Sequence, residues 1–282
     1  MSIRTVGIIG TGTMGSGIAQ VCATAGLDVV ITDVSTAAIE KGVAAVTNRL
    51  QRLVAKGKMS AEDSAAALKR ITQSSRDEDL RPVDLVIEAA PEDAELKVGI
   101  FRRIDPILRP DTIVASNTSS VSITKLASSI SHPDRFIGLH FFNPVPVMRL
   151  VEVVRSLQTS DATHEAAEAL VTRLGKTPIT VKSSPGFVVN RLLLPMLNEA
   201  FFALGEGDAE ATDIDDAMKL GCNHPIGALA LADLIGLDVL LAVMETLHEE
   251  FGESKYRPAQ LLREMVAAGY LGRKTGRGVY RY

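Results

Sequence analysis

The chain has 282 residues, 46% of them hydrophobic, a length that suits one large domain and a smaller second one. Its formal net charge at pH 7 is −4, and its 34 acidic and 30 basic residues are interspersed, which argues against nucleic-acid binding. Neither a signal-peptide pattern nor a membrane-spanning apolar run is present, so we expect a cytoplasmic protein without membrane contact. The two cysteines, Cys22 and Cys222, lack metal-binding spacing, so we expect buried free thiols and no metal.

Short β-branched runs alternate with helical patterns from residue 5 to about residue 182. This alternation predicts an α/β fold with a doubly wound, mostly parallel sheet of Rossmann type. The predicted strands are residues 5–10, 28–33, 83–90, 111–116, 135–142, 150–154 and 178–181.

One helical pattern, over about residues 35–70, is too long for an ordinary connection between two strands. With Gly57 as a break, it predicts a helical arm of two antiparallel helices that projects from the sheet. Basic residues cluster near the tip of this arm: Arg49, Arg52, Lys56 and Lys58.

Strand signals end at the sequence SSPG of residues 183–186. Helical patterns then cover residues 187–204, 212–220, 226–251 and 258–268. We therefore predict two domains, a Rossmann domain over residues 1–184 and an all-helical C-terminal domain over residues 185–282.

A glycine-rich motif, GTGTMG, follows the first predicted strand directly and opens a helix. The spacing of Gly10, Gly12 and Gly15 suits a tight turn, a close approach of the backbone to a pyrophosphate, and close packing of helix on strand. The helix N-terminus offers N–H groups and a positive dipole end to phosphates. Asp33 ends the second predicted strand, where a carboxylate binds the ribose hydroxyls of NAD and repels the extra phosphate of NADP.

His140 is the candidate acid-base residue, because it lies at the carboxyl end of a predicted strand, where α/β sheets bind ligands. Taken alone, such a residue is more often a core histidine. Glu152, however, interrupts the apolar run LVEVV of the next strand, and a buried carboxylate needs a partner. Pairing would fix the tautomer of His140 and stabilise its protonated form, which suits hydride transfer between an alcohol and a nicotinamide.

Two more polar groups stand where apolar residues are expected. Residues 116–120, with the sequence SNTSS, follow a predicted strand, and Asn190 interrupts the run FVVNRLLL. Strand-end serines are often turn formers, and Asn190 could equally pack between helices. Together with His140, they could line a pocket that binds substrate oxygens.

Nine ordered motifs resemble the 3-hydroxyacyl-CoA dehydrogenase family, in particular its short, single-function bacterial members. They are GTGTMGSGIAQ, DLVIEAAPE, ASNTSS, GLHFFNPVPVM, LVEVV, SPGFVVNRLL, MKLGCNHPIG, LADLIGLD and GRKTGRGVY, and they cover essentially the whole chain. The resemblance implies an NAD-dependent oxidoreductase that interconverts (S)-3-hydroxyacyl-CoA, such as 3-hydroxybutyryl-CoA, and 3-ketoacyl-CoA, such as acetoacetyl-CoA. It also implies a role in fatty-acid β-oxidation or in short-chain acyl and polyester metabolism.

The resemblance also implies roles for individual residues. His140 would be the general acid/base and Glu152 its partner, while Ser119 and Asn190 would hold the substrate oxygens and Lys56 the phosphates of CoA. Together with the glycine motif, the residues expected to contact NAD are Gly10, Gly12, Thr13, Met14, Gly15, Asp33, Glu92, Lys97, Ser119, Asn143 and Lys274. A homodimer built through the C-terminal domain is implied, with the acyl-CoA between the two domains.

Two positions depart from the family or vary within it. Ala228 stands where the family often has proline, and Arg49 lies at a variable arm position, so its contact with CoA stays open. Two other functions also stay open. One is a related hydroxyacid or sugar-acid dehydrogenase that acts without CoA. The other is a non-catalytic NAD-binding protein like the lens crystallins of this superfamily, which predicts a damaged His–Glu pair.

Overall fold

The computed structural model describes residues 3–282 and divides the chain into two compact units. Unit 1 ends at Ser183, and unit 2 covers Ser184–Tyr282. Each unit has its own hydrophobic core, formed between sheet and helices in unit 1 and between helices in unit 2.

Unit 1 is built on one eight-stranded sheet. Its strands are β1 (Thr5–Ile9), β2 (Asp28–Thr32), β3 (Ile71–Ser74), β4 (Leu85–Glu88), β5 (Ile113–Ser116), β6 (Phe136–Phe141), β7 (Leu150–Arg155) and β8 (Thr177–Lys182). Their spatial order is β3-β2-β1-β4-β5-β6-β7-β8. The first six strands are parallel, β7 is antiparallel to β6, and β8 is parallel to β7. The predicted Rossmann-type, mostly parallel sheet is therefore confirmed, and its strand order reverses between β1 and β4, where such sheets bind nucleotides.

α-Helices connect most of the strands of this sheet, except between β3 and β4 and between β6 and β7. They are α1 (Thr13–Thr24), α2 (Thr36–Ala55), α3 (Ala61–Lys69), α4 (Ala94–Ile104), α5 (Ile123–Ala127) and α6 (Asp161–Arg173). The strands β4, β5 and β6 are buried at every residue, as expected for strands covered on both faces.

The predicted arm consists of α2 and α3, with the turn at Gly57, whose φ is +65°. The side chains of Ser35 and Ser60 cap the first turns of these two helices. The expectation that the arm projects is wrong for α2, because Val46 and Leu50 of that helix are fully buried in the core of unit 1. Only the polar face and the tip of the arm are exposed.

The strand β3 was not predicted from the sequence. Its sequence, ITQS, has two exposed central residues and stands directly after the arm, at the edge of the sheet. A four-residue edge strand with polar side chains lacks the apolar run that identifies the other strands.

Unit 2 contains five helices: α7 (Val189–Glu206), α8 (Ala211–Cys222), α9 (Ala228–Ile235), α10 (Leu237–Phe251) and α11 (Gln260–Ala267). The segment 226–251, predicted as one helical pattern, is two helices, because Gly236 between them has a φ of +107°. Ala228 is the first residue of α9. Proline and alanine both fit there, since the N–H of the first helical residue has no acceptor within the helix.

A buried carboxylate, Asp233 of α9, anchors the C-terminal residues of unit 2. It accepts hydrogen bonds of 2.9 Å from the backbone N–H groups of Val279 and Tyr280. Asp215 accepts two more from the first turn of α9 and one from the Tyr280 hydroxyl. These bonds satisfy two buried carboxylates and fix the last residues of the chain on α9.

The expectation of two buried thiols is correct for Cys22 and wrong for Cys222, which is exposed at the end of α8. Burial raises the pKa of the Cys22 thiol to about 12, so that this thiol stays protonated. Among residues 3–282, no group of three or more His, Cys, Asp or Glu side chains could hold a metal ion. In the same range, no helix is both long enough and apolar enough to cross a membrane.

Candidate active site

His140 and Glu152 face each other on neighbouring strands. The antiparallel register of β6 and β7 pairs them directly, so their side chains leave the sheet on the same face. Nδ1 of His140 lies 2.7 Å from Oε2 of Glu152, and the two side chains are 8% and 1% exposed. Because a carboxylate only accepts hydrogen bonds, the proton of the neutral ring is on Nδ1 and its lone pair is on Nε2.

The turn after β5 is tied to the end of β6. The side-chain oxygen of Asn117 accepts a 3.0 Å hydrogen bond from the N–H of Phe141, and the N–H of Asn117 donates to the carbonyl of Glu88. Because β4, β5 and β6 are parallel, their carboxyl ends meet at one edge of the sheet. Ser119, which belongs to this turn, therefore lies at the same edge as His140.

Glu92 holds the same turn from the other side. Its Oε1 lies 2.6 to 3.1 Å from five donor atoms of Thr118, Ser119 and Ser120. Burial alone would raise the pKa of Glu92, but the charge of Lys97 and the hydrogen bonds from the turn lower this pKa below its ordinary value. Glu92 therefore binds the turn as a carboxylate. The contact is lost only as the pH falls through this lowered pKa.

Lys97 of α4 is fully buried inside unit 1. Its ammonium lies 2.7 Å from Oε1 of Glu88, 3.2 Å from the carbonyl of Ala90 and 3.4 Å from Oε2 of Glu92. Glu88, the last residue of β4, is also 0% exposed. Sequence reasoning missed Glu88, although the run VIEAA gives the same signal as LVEVV around Glu152: an acidic residue inside an apolar strand.

The glycine-rich loop has the geometry of a dinucleotide site. Gly10 has a φ of +94°, and a side chain at Gly15 would overlap the carbonyl oxygen of Gly10. At Gly12, beyond the immediate chain neighbours, no atom of the described residues lies within 4 Å of where a Cβ would stand. Gly12 also begins α1 without a side-chain cap, which leaves the first N–H groups of Thr13 and Met14 at an open helix end. This cradle fits a pyrophosphate.

Asp33 follows β2 and is bound to the same loop. Its Oδ2 accepts hydrogen bonds of 2.8 Å from both the N–H and the hydroxyl of Thr11, and its Oδ1 accepts one from the N–H of Val34. Three donors orient a half-exposed carboxylate beside the cradle, as a ribose site requires. Thr11, which sequence reasoning did not single out, fixes the orientation of Asp33.

The remaining predicted residues of unit 1 lie at the surface or between helices. Asn143 is exposed in the loop after β6, and Lys56 is exposed at the end of α2. Arg49 donates to the side chains of Gln20 (2.7 Å) and Ser16 (3.1 Å) on α1. Burial lowers the pKa of Arg49.

Two predicted residues belong to unit 2. Asn190 is half-buried in the first turn of α7. The ammonium of Lys274 lies 2.5 Å and 2.6 Å from the two carboxylate oxygens of Asp238, at the beginning of α10. Their expected contacts with substrate and NAD stay predictions.

A Rossmann-type sheet, a dinucleotide cradle and a buried His–Glu pair at the ligand edge define the protein as a nicotinamide-dependent dehydrogenase. Comparison with known families makes this specific. Residues 5–184 match the NAD binding domain of 3-hydroxyacyl-CoA dehydrogenase, and residues 186–282 match its C-terminal domain. The chain belongs to the 3-hydroxyacyl-CoA dehydrogenase family and is an NAD-dependent oxidoreductase, as the resemblance predicted.

Known relatives cover nearly the whole chain. A 3-hydroxybutyryl-CoA dehydrogenase of Bradyrhizobium diazoefficiens is 51% identical over 99% of this chain and 96% of its own. Another, of Clostridioides difficile, is 49% identical over 98% of both chains. The crystal structure of (S)-3-hydroxybutyryl-CoA dehydrogenase PaaH1 from Ralstonia eutropha is similar at a TM-score of 0.98 and 65% identity, covering 100% of this chain and 99% of that one.

The position of Asp33 predicts a preference for NADH over NADPH. A 2′-phosphate beside this oriented carboxylate would bring like charges together, so we expect kcat/KM to be at least about tenfold higher with NADH. Asp33→Asn should narrow that ratio, whereas Asp134→Asn, at an exposed site elsewhere in unit 1, should leave it unchanged. Steady-state rates with both cofactors decide the matter. Equal or better use of NADPH by the unmodified protein would remove Asp33 from the ribose site.

Proposed function

We propose that the protein interconverts (S)-3-hydroxybutyryl-CoA and acetoacetyl-CoA, with His140 as the general acid/base. The observation that carries this proposal is the 2.7 Å contact between His140 and Glu152 on opposed residues of β6 and β7. The substrate follows from the names of the relatives, which are 3-hydroxybutyryl-CoA dehydrogenases over nearly their full length. The proposed stereochemistry is that of the similar Ralstonia eutropha enzyme, an (S)-3-hydroxybutyryl-CoA dehydrogenase.

His140 moves the proton of the reaction. In the oxidative direction, Nε2 takes the proton of the 3-hydroxyl group as the hydride leaves the same carbon. NAD, held by the glycine-rich loop and by Asp33, would supply the hydride acceptor when bound. The ring is then positively charged, and the carboxylate of Glu152 at Nδ1 stabilises that charge. In the reductive direction, the imidazolium returns the proton to the carbonyl oxygen.

Ser119 and Asn190 are proposed to hold the substrate oxygens, and Glu92, Asn143 and Lys274 are proposed to act at the nucleotide. The side chain of Lys97, expected from the sequence to contact NAD, is 0% exposed, so Lys97 is proposed to act only through Glu92. Support for Ser119 is its place on the turn at the His140 edge of the sheet. Each of these roles depends on a hydrogen bond to an oxygen or to a developing charge.

The phosphates of CoA are proposed to bind at the tip of the arm. Lys56 and Lys58 are exposed there, and neither makes an ion pair within the described part of unit 1. A hydroxyacid or sugar-acid dehydrogenase without CoA would share the cradle and the His–Glu pair, but it would not need these cations. A non-catalytic NAD-binding protein is disfavoured because the buried pair is intact.

A homodimer built through unit 2 is also proposed. Large apolar side chains are exposed on this unit: Val188, Leu192, Leu220, Leu234 and Val239. Singly exposed apolar residues are ordinary, and unit 1 exposes as many large ones as unit 2, but unit 2 has only about half as many residues. This higher density supports an interface on unit 2. The cytoplasmic location expected from the sequence stays a prediction.

Substitution of the His–Glu pair tests the chemistry. His140→Gln should lower kcat by about 10²- to 10⁴-fold, the usual contribution of a positioned acid or base. Glu152→Gln keeps the shape and removes the charge, so it too should lower kcat with little change in KM. The double variant should be little worse than His140→Gln alone, since residues that act as one unit are not additive.

The exposed residues His132 and Glu165 serve as matched controls, and the same changes there should leave kcat unchanged. If the losses in kcat of the two single variants multiply in the double variant, Glu152 does not act through His140. Near-normal turnover by a folded His140→Gln protein would move the acid/base elsewhere.

Recognition of the CoA part of the substrate is tested by comparing acetoacetyl-CoA with free acetoacetate. We expect turnover of the thioester and none of the free acid.

Lys56→Ala should raise KM for acetoacetyl-CoA about fivefold, the equivalent of about 1 kcal/mol for an exposed charge contact, and should leave kcat unchanged. The increase should shrink at high salt. Lys69→Ala, on the exposed face of α3, is the control. Efficient reduction of free acetoacetate would favour the dehydrogenase without CoA.

Analytical ultracentrifugation tests the dimer. The 30.1 kDa chain should sediment at twice that mass, and the double variant Leu192→Glu/Leu220→Glu should shift it toward the monomer, because buried charges oppose association. Leu157→Glu, at an equally exposed position of unit 1, should stay dimeric. A monomeric unmodified protein would refute the proposed interface.

A further inference from the structure

Glu88 carries a buried negative charge with no assigned role. Its Oε1 accepts hydrogen bonds from the N–H of Ala90 (2.6 Å) and from the ammonium of Lys97 (2.7 Å). Its Oε2 accepts one from the hydroxyl of Ser116, also at 2.6 Å. The side chains of Glu88 and Lys97 are both 0% exposed. A complete ion pair with its hydrogen bonds satisfied is therefore enclosed between the ends of β4 and β5 and the beginning of α4.

Two chains of contacts lead from Glu88 to the turn of residues 117–120. In the first, the Ser116 oxygen that is bound to Glu88 accepts a 3.2 Å hydrogen bond from the N–H of Thr118. In the second, Lys97 lies between Glu88 and Glu92, and Oε1 of Glu92 accepts the N–H of Ser119 at 2.8 Å. The backbone carbonyl of Glu88 also accepts the N–H of Asn117.

Stability alone is a weak reason for such a pair. Removing two charges from water costs free energy that their attraction often does not recover, and an apolar pair of the same size is frequently as stable. A buried ion pair does restrict its neighbours, because any shift of a partner leaves a charge unsatisfied in a low-dielectric interior. The neighbours restricted here belong to the turn that carries Ser119.

We propose that Glu88 is a positioning residue: through Lys97, Glu92 and Ser116 it holds the turn of residues 117–120 so that Ser119 meets the substrate oxygen in the reactive geometry. The inference rests on the proposed function, since it needs a substrate oxygen at Ser119. Glu88 itself touches no reacting atom in this scheme.

The hydrogen bonds around Glu92 allow Ser119 to be fixed and still be available. Five donor atoms surround Oε1 of Glu92, more than one carboxylate oxygen accepts at once. The longest of these five hydrogen bonds, at 3.1 Å, joins the Ser119 hydroxyl to Oε1 of Glu92. The backbone N–H of Ser119 donates to the same oxygen at 2.8 Å. The hydroxyl can therefore turn to a substrate oxygen while Glu92 keeps the backbone in place.

The test removes the two fully buried charges together, so that neither Glu88 nor Lys97 is left without the other. Glu92, whose side chain is 37% exposed, loses one cation but keeps its hydrogen bonds from the turn. Glu88→Gln/Lys97→Met keeps the size of both side chains, and the glutamine still offers hydrogen bonds to Ala90 and Ser116. We expect this double variant to fold, to bind NADH within about twofold of the unmodified protein, and to lose roughly 10- to 100-fold in kcat with acetoacetyl-CoA, as a small misplacement of a positioning group does. Circular dichroism and NADH fluorescence titration report the first two quantities.

A double-mutant cycle with Ser119→Ala distinguishes a positioning role of Glu88 from a purely structural one. If Glu88 acts through Ser119, the double variant should cost little further kcat in the Ser119→Ala background. The matched control is Glu95→Gln/Lys125→Met, which makes the same changes at an exposed ion pair between α4 and α5. This control should leave kcat and NADH binding unchanged.

Three results would overturn the inference: unchanged kcat in the folded double variant, losses that multiply with those of Ser119→Ala, or a loss confined to NADH binding. Failure of the proposed function is seen separately, because the unmodified protein would then not turn over acetoacetyl-CoA. If the Glu88→Gln/Lys97→Met protein does not fold, Glu92→Gln decides instead. A 10- to 100-fold loss of kcat in Glu92→Gln that disappears in the Ser119→Ala background supports the inference. A normal kcat in Glu92→Gln refutes it.

Discussion

The antiparallel entry of β7 is the constraint on which the chemistry depends. Parallel strands deliver their carboxyl ends to one edge of the sheet, so β6 brings His140, its fifth residue, to the ligand edge. Because β7 starts from that same edge, its third residue, Glu152, stands opposite His140. A parallel β7 would have placed its first residues at the opposite edge. The reversal of one strand therefore places a carboxylate against the imidazole inside the sheet, where water competes poorly for either group.

The acidic side chains around this edge share one mode of support. Asp33, Glu88 and Glu92 each accept several hydrogen bonds from groups of the protein. A carboxylate held in this way has a fixed direction and needs no rearrangement when a ligand binds. The N–H donors come largely from tight turns after parallel strands, which explains why Asp33, Glu88 and the turn of residues 117–120 all stand at strand ends.

The fold could be predicted from the sequence wherever an element has a clear local pattern of apolar residues. Apolar runs identified seven of the eight strands, whereas β3 escaped because an edge strand with polar residues has no such run. The break at Gly236 escaped because a single glycine in a helical pattern is usually tolerated. At the site, the register of His140 with Glu152 could be anticipated from an acidic residue in a buried strand. The same reasoning would have found Glu88, but its partner Lys97 lies on a helix, and no strand pattern shows which helix position faces a strand end.

The fixed charges of Glu88, Glu92 and Lys97 also explain how the turn of residues 117–120 can be rigid while the hydroxyl of Ser119 stays adjustable. If hydroxyl groups alone held residues 117–120, binding of a substrate oxygen would compete with the bonds that shape the turn. Here backbone N–H groups bound to Glu92 and to Ser116, together with the hydroxyl of Thr118, hold the shape of the turn without the hydroxyl of Ser119. The hydroxyl of Ser119 is left as the adjustable element. In the proposed function, a turn of this hydroxyl from Glu92 to a substrate oxygen would replace one hydrogen bond by another, so it would cost little free energy. In the proposed function, the buried charges thus set the geometry of the turn, and the neutral hydroxyl of Ser119 is the group that would meet the substrate.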